Sequence, residues 1–157
     1  MNKNSYAIIM AGGVGSRFWP LSKKKLPKQF LDILGVGETL IQQTYRRLLL
    51  ICPKENIFVV TNEDYFSLCK AQIPELKDNQ ILCEPVMRNT APCIAYAAFK
   101  IHSLNDQANL IVAPSDHLIT NDIEYVRIVN EIFETIHEKD YLVTLGIQAS
   151  RPDTGYG

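Results

Sequence analysis

AGGVGSRFWPLS, residues 11–22, is the stretch that decides the fold, and it follows directly on the apolar run Tyr6–Met10. The apolar run is short, favours β-structure and ends close to a glycine, so it predicts a buried strand. Glycine lets a ligand approach the backbone closely, and such a loop after a first strand can direct several N–H groups at one anion. The stretch therefore predicts a phosphate site at the end of a first strand.

Two cations follow the glycines. Arg17 carries a fixed guanidinium fork at the end of the loop. Lys28 stands directly after Pro27, which stiffens its approach. Backbone donors and two cations together suit a polyphosphate. The alternative is a glycine-rich turn with a solvated arginine, and the convergence of glycine, arginine and lysine after a strand favours the phosphate site over it.

Two well-known phosphate loops fit this stretch less well. A P-loop needs Gly-Lys-Ser/Thr after its first glycine, and none follows here. The dinucleotide fingerprint GxGxxG fails at its third position, which is Phe18. Asp32 lies roughly 20 residues on, where a ribose-binding acid would stand, but it follows Pro27 and sits where no helix leads to a second strand. A Rossmann-like oxidoreductase therefore remains only as a rival interpretation.

The composition is that of an ordinary globular domain, with 157 residues, 46% hydrophobic and 21% charged, enough to bury one core. A formal net charge of −1 gives no bulk attraction to nucleic acid or to an anionic membrane, so we expect neither partner. No apolar run is long enough to span a bilayer and no signal-peptide pattern is present, which indicates a cytoplasmic protein.

The cysteines and histidines give no sign of a structural metal or a disulfide framework. No C-x-x-C pair and no HExxH pattern occurs. We expect four reduced, partly buried thiols. They are Cys52, Cys69, Cys83 and Cys93.

Strand and helix patterns alternate along the chain, which predicts an α/β fold with a mainly parallel sheet flanked by helices. After the first strand, further strands are predicted at residues 57–61, 80–83, 110–113 and 141–147. Helices are predicted at residues 40–50, 63–71, 93–102 and 123–138. Thr39 can cap the first, Asn62 turns the chain into the second, and Asn121–Asp122 can cap the last. The buried stripe of the last helix is predicted to be Ile123, Val126, Val129, Ile132, Phe133 and Ile136.

A second informative stretch, EPVMRNTAP at Glu84–Pro92, follows the third strand. Asn89 or Thr90 can cap the next helix, whose first turn tolerates Pro92. Ligands of open α/β sheets lie outside the carboxyl ends of the strands. This loop and the glycine loop can therefore share one crevice, although an ordinary capped helix is the simpler alternative.

A third stretch, Pro114–His117, places Asp116 at the end of the fourth strand. A carboxylate among phosphates is repulsive unless a cation lies between them. Mg²⁺ takes one or two carboxylates and completes its shell with phosphate oxygens and water, so Asp116 is the metal candidate. The alternative is an aspartate that caps a turn. We give His117 no catalytic role.

GGxGxRxWPLS followed by PKQF resembles the signature of sugar-nucleotide pyrophosphorylases, and the spellings FWPLS and KQF are most similar to mannose-1-phosphate guanylyltransferases. EPxxRNTAP, PSDH and GIxxxRPxTGYG continue the resemblance in the family's order over nearly the whole chain. It implies a Rossmann-like, glycosyltransferase-A-like nucleotidyltransferase fold that is incomplete at the C-terminus. Residues 1–157 would then be the N-terminal, nucleotide-binding part of such a domain, and a fragment of a longer chain.

The resemblance implies Mg²⁺-dependent synthesis of GDP-mannose and pyrophosphate from GTP and mannose 1-phosphate. It implies a catalytic role for Arg17, which would hold the leaving phosphates, and for Lys28, which would neutralise charge at the α-phosphate. It leaves a homo-oligomer open, formed through the C-terminal part. Some family members also carry a mannose-6-phosphate isomerase domain, whose activity could give the parent protein its name.

The remaining site residues also follow from the resemblance. Asp116 would bind Mg²⁺. The nucleotide would contact Ala11, Gly12, Gly13, Gly15, Ser16, Glu84, Arg88, Asn89 and Thr90. The sugar side would be Gly146, Thr154, Gly155 and Tyr156. The sequence departs from the family at Ala149–Ser150, where Pro-Thr is more usual, and this bears only on local stiffness.

Guanine and mannose rest on the resemblance alone, so other functions stay open. A pyrophosphorylase for another sugar nucleotide would use the same loops. An oxidoreductase predicts NAD(P) binding and no response to GTP. A nucleotide-sensing module predicts GTP binding without release of pyrophosphate.

Overall fold

Four parallel strands form the centre of the molecule in this computed structural model, which describes residues 2–13, 18–86, 88–137, 139 and 141–148. The strands are β1 Ser5–Met10, β2 Ile57–Thr61, β3 Ile81–Cys83 and β4 Asn109–Pro114, in the order β3-β2-β1-β4. The helices are α1 Leu40–Leu48, α2 Glu63–Gln72, α3 Thr90–His102 and α4 Asp122–Ile136. Short 3-10 turns occupy Lys28–Phe30, Lys54–Asn56 and Asp78–Gln80. The predicted parallel α/β sheet is confirmed.

The strand register brings the four carboxyl ends to one edge of the sheet. Met10 lies beside Val60 on one side and beside Pro114 on the other, and Thr61 lies beside Cys83. We call this side, with the loops that follow the strands, the carboxyl edge. The opposite side, with the residues that lead into the strands, is the amino edge. Loops far apart in sequence therefore meet at the carboxyl edge.

Both faces of the sheet are covered, which explains why the strands are continuous apolar runs. Side chains on one face of the sheet, such as Ile9 and Val59, pack with α1, α2 and α4. Side chains on the opposite face, such as Ile8 and Val60, pack with α3. The core thus lies in two layers, and the carboxyl edge is left to the loops.

Asparagine side chains cap two helices, of which the cap at Asn121 was predicted, whereas Asn62 was predicted only to turn the chain. Asn62 accepts a hydrogen bond from the Tyr65 N–H at 3.1 Å, and Asn121 accepts one from the Glu124 N–H at 3.0 Å. The predicted inner face of α1 is buried throughout. That face consists of Leu40, Ile41, Thr44, Tyr45 and Leu48.

The predicted stripe of α4 is wrong at its first position, because Ile123 is 85% exposed. Asp122 instead faces α1, where its carboxylate lies 2.7 Å from Nε of the buried Arg47. Tyr125 and Val129 share that helix face, and both join the core. The ion pair and the aromatic ring, rather than Ile123, therefore determine which side of the first turn packs.

The predicted fifth strand at residues 141–147 does not form. No part of the described residue range 141–148 is paired into the sheet, which ends at β4. Leu142 and Ile147 are fully or largely exposed. An apolar run forms a strand in a sheet only where a neighbouring strand supplies hydrogen bonds and cover, and among the described residues no strand pairs with the outer edge of β4.

The thiols agree with the sequence prediction. All four cysteines are free, and Cys52, Cys69 and Cys93 are buried. Burial raises the pKa of Cys52 and of Cys69 to about 12, so both are protonated near neutral pH. None of the described helices has the length and apolar character needed to cross a membrane.

Candidate active site

We use the name glycine turn for the described residues 11–13, which directly follow β1. The turn is held to the sheet through its first residue. The Ala11 N–H donates to the Val60 carbonyl at 2.8 Å. The Ala11 carbonyl accepts from Thr61 Oγ1 at 3.1 Å and from Gln29 Nε2 at 3.0 Å. Ala11 is fully buried, so its hydrogen-bonded backbone groups position the turn.

Gln29 holds the same turn at a second point. Its Nε2 also donates to the Gly13 carbonyl, at 2.9 Å. A carboxamide has two N–H donors, and here both donate to carbonyls of the turn. The side chain is buried, and sequence reasoning gave it no role. The available signal was a glutamine placed between Lys28 and the buried Phe30.

Gly13 leaves the outer side of the turn open. Nothing lies within 4 Å of where a Cβ would stand on it, and the residue is exposed. The fold therefore tolerates a side chain at this position, and the absence of one keeps the backbone accessible to a ligand. The predicted site residues Gly15, Ser16 and Arg17 lie outside the described residues.

Lys28 and Asp116 meet beside this turn. Lys28 Nζ lies 2.9 Å from Asp116 Oδ2, and the two side chains are 20% and 39% exposed. Lys28 Nζ also lies 4.6 Å from the centroid of the Phe18 ring, which attracts the ammonium through its π-face. The structure thus joins the predicted catalytic lysine and the predicted metal ligand, and it adds Phe18, which sequence reasoning missed.

This ion pair is suited to being exchanged. A partly exposed pair contributes only about 0–1 kcal/mol, so stronger partners can separate it. An incoming phosphate can take the ammonium, and a cation can take the carboxylate. Without a ligand, the two side chains therefore neutralise each other. With a ligand present, Lys28 can bind a phosphate and Asp116 can bind a cation.

The loop after β3 reaches the same edge through Glu84. The Glu84 N–H donates to the Thr61 carbonyl at 2.8 Å, continuing the strand alignment. Partial burial raises the pKa of Glu84, and a hydrogen bond from the Cys93 thiol opposes that rise. Burial, followed by the nearby Glu84 carboxylate, raises the pKa of Cys93 to about 11. Cys93 is therefore a neutral donor to Glu84 near neutral pH.

Asn89 has a strained backbone at the start of α3. Its φ of 67° and ψ of −169° lie in a region that is otherwise almost confined to glycine and costs about 1–3 kcal/mol. Asn89 is the N-cap, but its side chain makes no capping hydrogen bond, so the prediction of a side-chain cap there is wrong. Arg88, Asn89 and Thr90 are exposed, and the positive end of the α3 dipole lies beside them.

The predicted residues spread along the edge in strand order. The loop of β3 lies at one side, the glycine turn in the middle, and Asp116 at the end of β4. Three strand spacings span about 14 Å, enough for an extended nucleotide. Gly146 lies in the exposed range 141–148, with open space around its Cβ position. Thr154, Gly155 and Tyr156 lie outside the described residues.

Asp32 does not serve a dinucleotide site. Its carboxylate accepts hydrogen bonds from the N–H groups of Val36 at 3.1 Å and Gly37 at 2.8 Å. The hydrogen bond from Gly37 is the main cause of its lowered pKa. The residue closes its own exposed turn, so the oxidoreductase interpretation loses its ribose-binding acid.

The match to a family model agrees with this arrangement. The model described as nucleotidyl transferase matches residues 6–157. The alginate biosynthesis protein AlgA of Pseudomonas aeruginosa is 40% identical over 158 residues, which cover 96% of this chain and 31% of that protein. A mannose-1-phosphate guanylyltransferase of Klebsiella pneumoniae is 39% identical over 152 residues, covering 96% and 32%. The chain therefore spans about a third of the length of these curated relatives.

Solved structures share the fold. A crystal structure described as mannose-1-phosphate geranyltransferase from Thermus thermophilus has a TM-score of 0.74 at 32% identity, covering 86% of this chain and 39% of that one. One described as mannose-6-phosphate isomerase from Helicobacter pylori has a TM-score of 0.62 at 26% identity, covering 83% and 46%. Because the family model matches nearly the whole sequence and these structures share its fold, the chain belongs to the nucleotidyl transferase family.

Proposed function

We propose that the protein containing this chain is a mannose-1-phosphate guanylyltransferase. The observation that carries the proposal is the Lys28–Asp116 pair, which lies beside an open glycine turn at the carboxyl edge. Two curated relatives are named mannose-1-phosphate guanylyltransferase, which supports mannose 1-phosphate as one substrate and transfer of a guanylyl group, for which we propose GTP as the donor.

The reaction needs alignment more than acid–base chemistry. A phosphate oxygen of mannose 1-phosphate attacks the α-phosphorus of GTP, the bond from that phosphorus to the bridging oxygen breaks, and pyrophosphate leaves with the electron pair. A phosphate monoester is already mostly dianionic near neutral pH, since its second pKa is about 6. The site therefore has to hold the two phosphates in line and reduce their repulsion.

The chain offers groups for both tasks. In the proposal, the N–H groups of Gly12, Gly13, Gly15 and Ser16 cradle the triphosphate. Arg17 holds the β- and γ-phosphates as they leave. Lys28 moves from Asp116 to the oxygens between nucleophile and α-phosphate, where a positive charge has most effect in the transition state.

Asp116 fits a Mg²⁺ ion that is shared with the substrate. Among the described residues no three His, Cys, Asp or Glu side chains lie together, so the chain forms no closed metal cage there. A single carboxylate suits Mg²⁺ because phosphate oxygens and water complete its shell. Its ability to hold a cation is supported by the Lys28 ammonium found against it. When bound, Mg²⁺ would supply charge neutralisation at the phosphates.

The ends of the crevice would hold the two organic groups. Glu84, Arg88, Asn89 and Thr90 would contact the nucleoside, supported by the position of their loop on the far side of the glycine turn from Asp116. Gly146, Thr154, Gly155 and Tyr156 would contact the sugar, which rests on the family pattern.

The test is Mg²⁺-dependent release of pyrophosphate by the full-length protein with mannose 1-phosphate and each nucleoside triphosphate in turn. We expect release with GTP. Release only with a different triphosphate or sugar phosphate would keep the reaction and change the substrates. GTP binding without release from folded protein would indicate a nucleotide-sensing module and overturn the proposal.

A second activity, mannose-6-phosphate isomerisation, is suggested by the description of the Helicobacter pylori structure. We place it outside the described residues, which offer no metal cage for it. Lys28→Ala in the full-length protein should then reduce pyrophosphate release about 1,000-fold and leave any isomerase rate unchanged. A parallel loss of isomerase activity would place both reactions in one site.

A further inference from the structure

Three buried carboxamides fasten the sheet by the same geometry. Each donates both amide hydrogens to a pair of backbone carbonyls. Gln29 bonds Ala11 and Gly13 at 3.0 and 2.9 Å, Asn56 bonds Lys3 and Ser5 at 2.9 and 3.0 Å, and Gln80 bonds Lys54 and Ile57 at 2.8 Å each. All three side chains are at most 7% exposed.

The three differ in what they hold. Asn56 and Gln80 lie at the amino edge, where they join the segments that lead into β1, β2 and β3. Gln29 lies at the carboxyl edge and holds the glycine turn, whose outer side is open at Gly13. Asn56 and Gln80 therefore hold together segments of the fold that lead into strands. Gln29 instead holds a turn whose open side can receive a ligand.

We propose that Gln29 is a positioning residue for phosphoryl chemistry, which fixes the glycine turn relative to the ammonium of Lys28. The inference rests on the proposed function. Lys28 and Gln29 are neighbours in one 3-10 turn, and they contact Asp116 and the glycine turn respectively. One rigid segment thus sets the distance between the N–H groups that hold the triphosphate and the cation that acts on it.

The geometry also explains why the side chain is glutamine. Two carbonyl oxygens need two donors, and only a carboxamide of this length supplies them without a charge. Glutamate would set carboxylate oxygens against both carbonyls. Methionine would leave the Gly13 carbonyl without this donor and the Ala11 carbonyl with the Thr61 hydroxyl alone, so either change displaces the turn. A displacement of about 1 Å can reduce a rate about 100-fold.

The experiment compares matched variants of the full-length protein, with the same changes made at both edges. Gln29→Glu and Gln29→Met are set against Gln80→Glu and Gln80→Met. For each we measure the melting temperature, the Kd for GTP, and kcat and KM for both substrates. Thr61→Val removes the hydroxyl bond to Ala11 and the interaction of that hydroxyl with the Cys69 thiol, and it is a milder variant at the carboxyl edge in case the Gln29 variants unfold.

We expect the Gln29 variants to lose about 100-fold in kcat/KM for GTP, with a smaller change in KM for mannose 1-phosphate. The Gln80 variants should lose at least as much melting temperature and keep their kinetics. Thr61→Val should show a weaker form of the Gln29 effect. Suppose that the wild type is active, and that Gln29 and Gln80 variants with equal loss of melting temperature also lose kcat/KM equally. Gln29 would then have a structural role only. If the folded wild type binds no triphosphate, both this inference and the proposed function fail.

Discussion

The two edges of the sheet contain the same kinds of polar contact, an ion pair and a buried carboxamide bridge. They differ in what lies beside those contacts. The amino edge has a Lys70–Asp78 ion pair at 3.0 Å, and the carboxyl edge has the Lys28–Asp116 pair at 2.9 Å. Carboxamide bridges occur at both, through Gln80 and Gln29. At the carboxyl edge, these groups surround an open turn.

The comparison shows that contact type does not reveal function. A lysine–aspartate pair or a buried glutamine is ordinary structural chemistry wherever it occurs. What distinguishes the carboxyl edge is the strained Asn89 backbone, the open side of Gly13 and the dipole of α3. If the difference between the edges is functional, substitutions at the carboxyl edge should change the kinetics and matched substitutions at the amino edge should not.

The largest effect is expected from Lys28→Ala, with Lys70→Ala as its counterpart at the amino edge. Loss of a preorganised charge at the α-phosphate should reduce kcat about 1,000-fold, while the melting temperature changes little. Steady-state pyrophosphate release measures the rate. Lys70→Ala should keep wild-type kinetics, and a similar rate loss in both variants would remove the distinction between the edges.

Asp116→Asn should reduce kcat/KM about 100-fold, because a neutral amide is a poorer ligand for a hard divalent cation. The dependence of the rate on Mg²⁺ concentration is the informative measurement. We expect the variant to need more Mg²⁺ for half-maximal rate, and Asp78→Asn to show an unchanged requirement. An unchanged Mg²⁺ requirement in Asp116→Asn would remove Asp116 as the metal ligand.

Asp122→Asn tests an ion pair that serves the fold alone. Burial would raise the pKa of Asp122, but hydrogen bonds from Arg47 and Arg46 outweigh it and hold that pKa below 3.8. The folded state thus gains stability from this group above pH 3.8, and the gain disappears as the pH falls through the lowered pKa.

Urea unfolding of the wild type and Asp122→Asn should therefore differ by about 2 kcal/mol at neutral pH. The difference should shrink at acidic pH, and the kinetics of the variant should match those of the wild type. A difference that grew on acidification would contradict the assigned direction of the pKa shift.

The smallest effects separate two glycines. Gly13→Ala should leave stability unchanged, because its Cβ meets open space, and should raise KM for GTP about tenfold, or about 1.4 kcal/mol. Gly37→Ala should lose about 1 kcal/mol of stability, because its φ of 81° disfavours a side chain, and should keep its kinetics. Thermal unfolding and GTP titration check both, and reversed outcomes would place the ligand away from Gly13.

Local patterns predicted much of the fold because β1, β2 and β3 are largely buried and the helix starts carry polar residues. The runs at β1 to β4, the cap at Asn121, and the apolar face of α1 were all evident from residue type and spacing. The three site stretches could be assigned to one edge because parallel strands end together, whereas their order along that edge came from the structure. None of these inferences needed a distant partner.

The sequence by itself determined the parallel α/β sheet, the glycine turn and the residues that reach the carboxyl edge. The tertiary structure decided which of them touch. Whether residues 141–147 form a strand depends on a neighbour beside β4, and which face of α4 packs depends on Arg47, far away in sequence. The contacts of Gln29 and Phe18 were likewise decided by folding, because each depends on the distance to a group that only folding brings near.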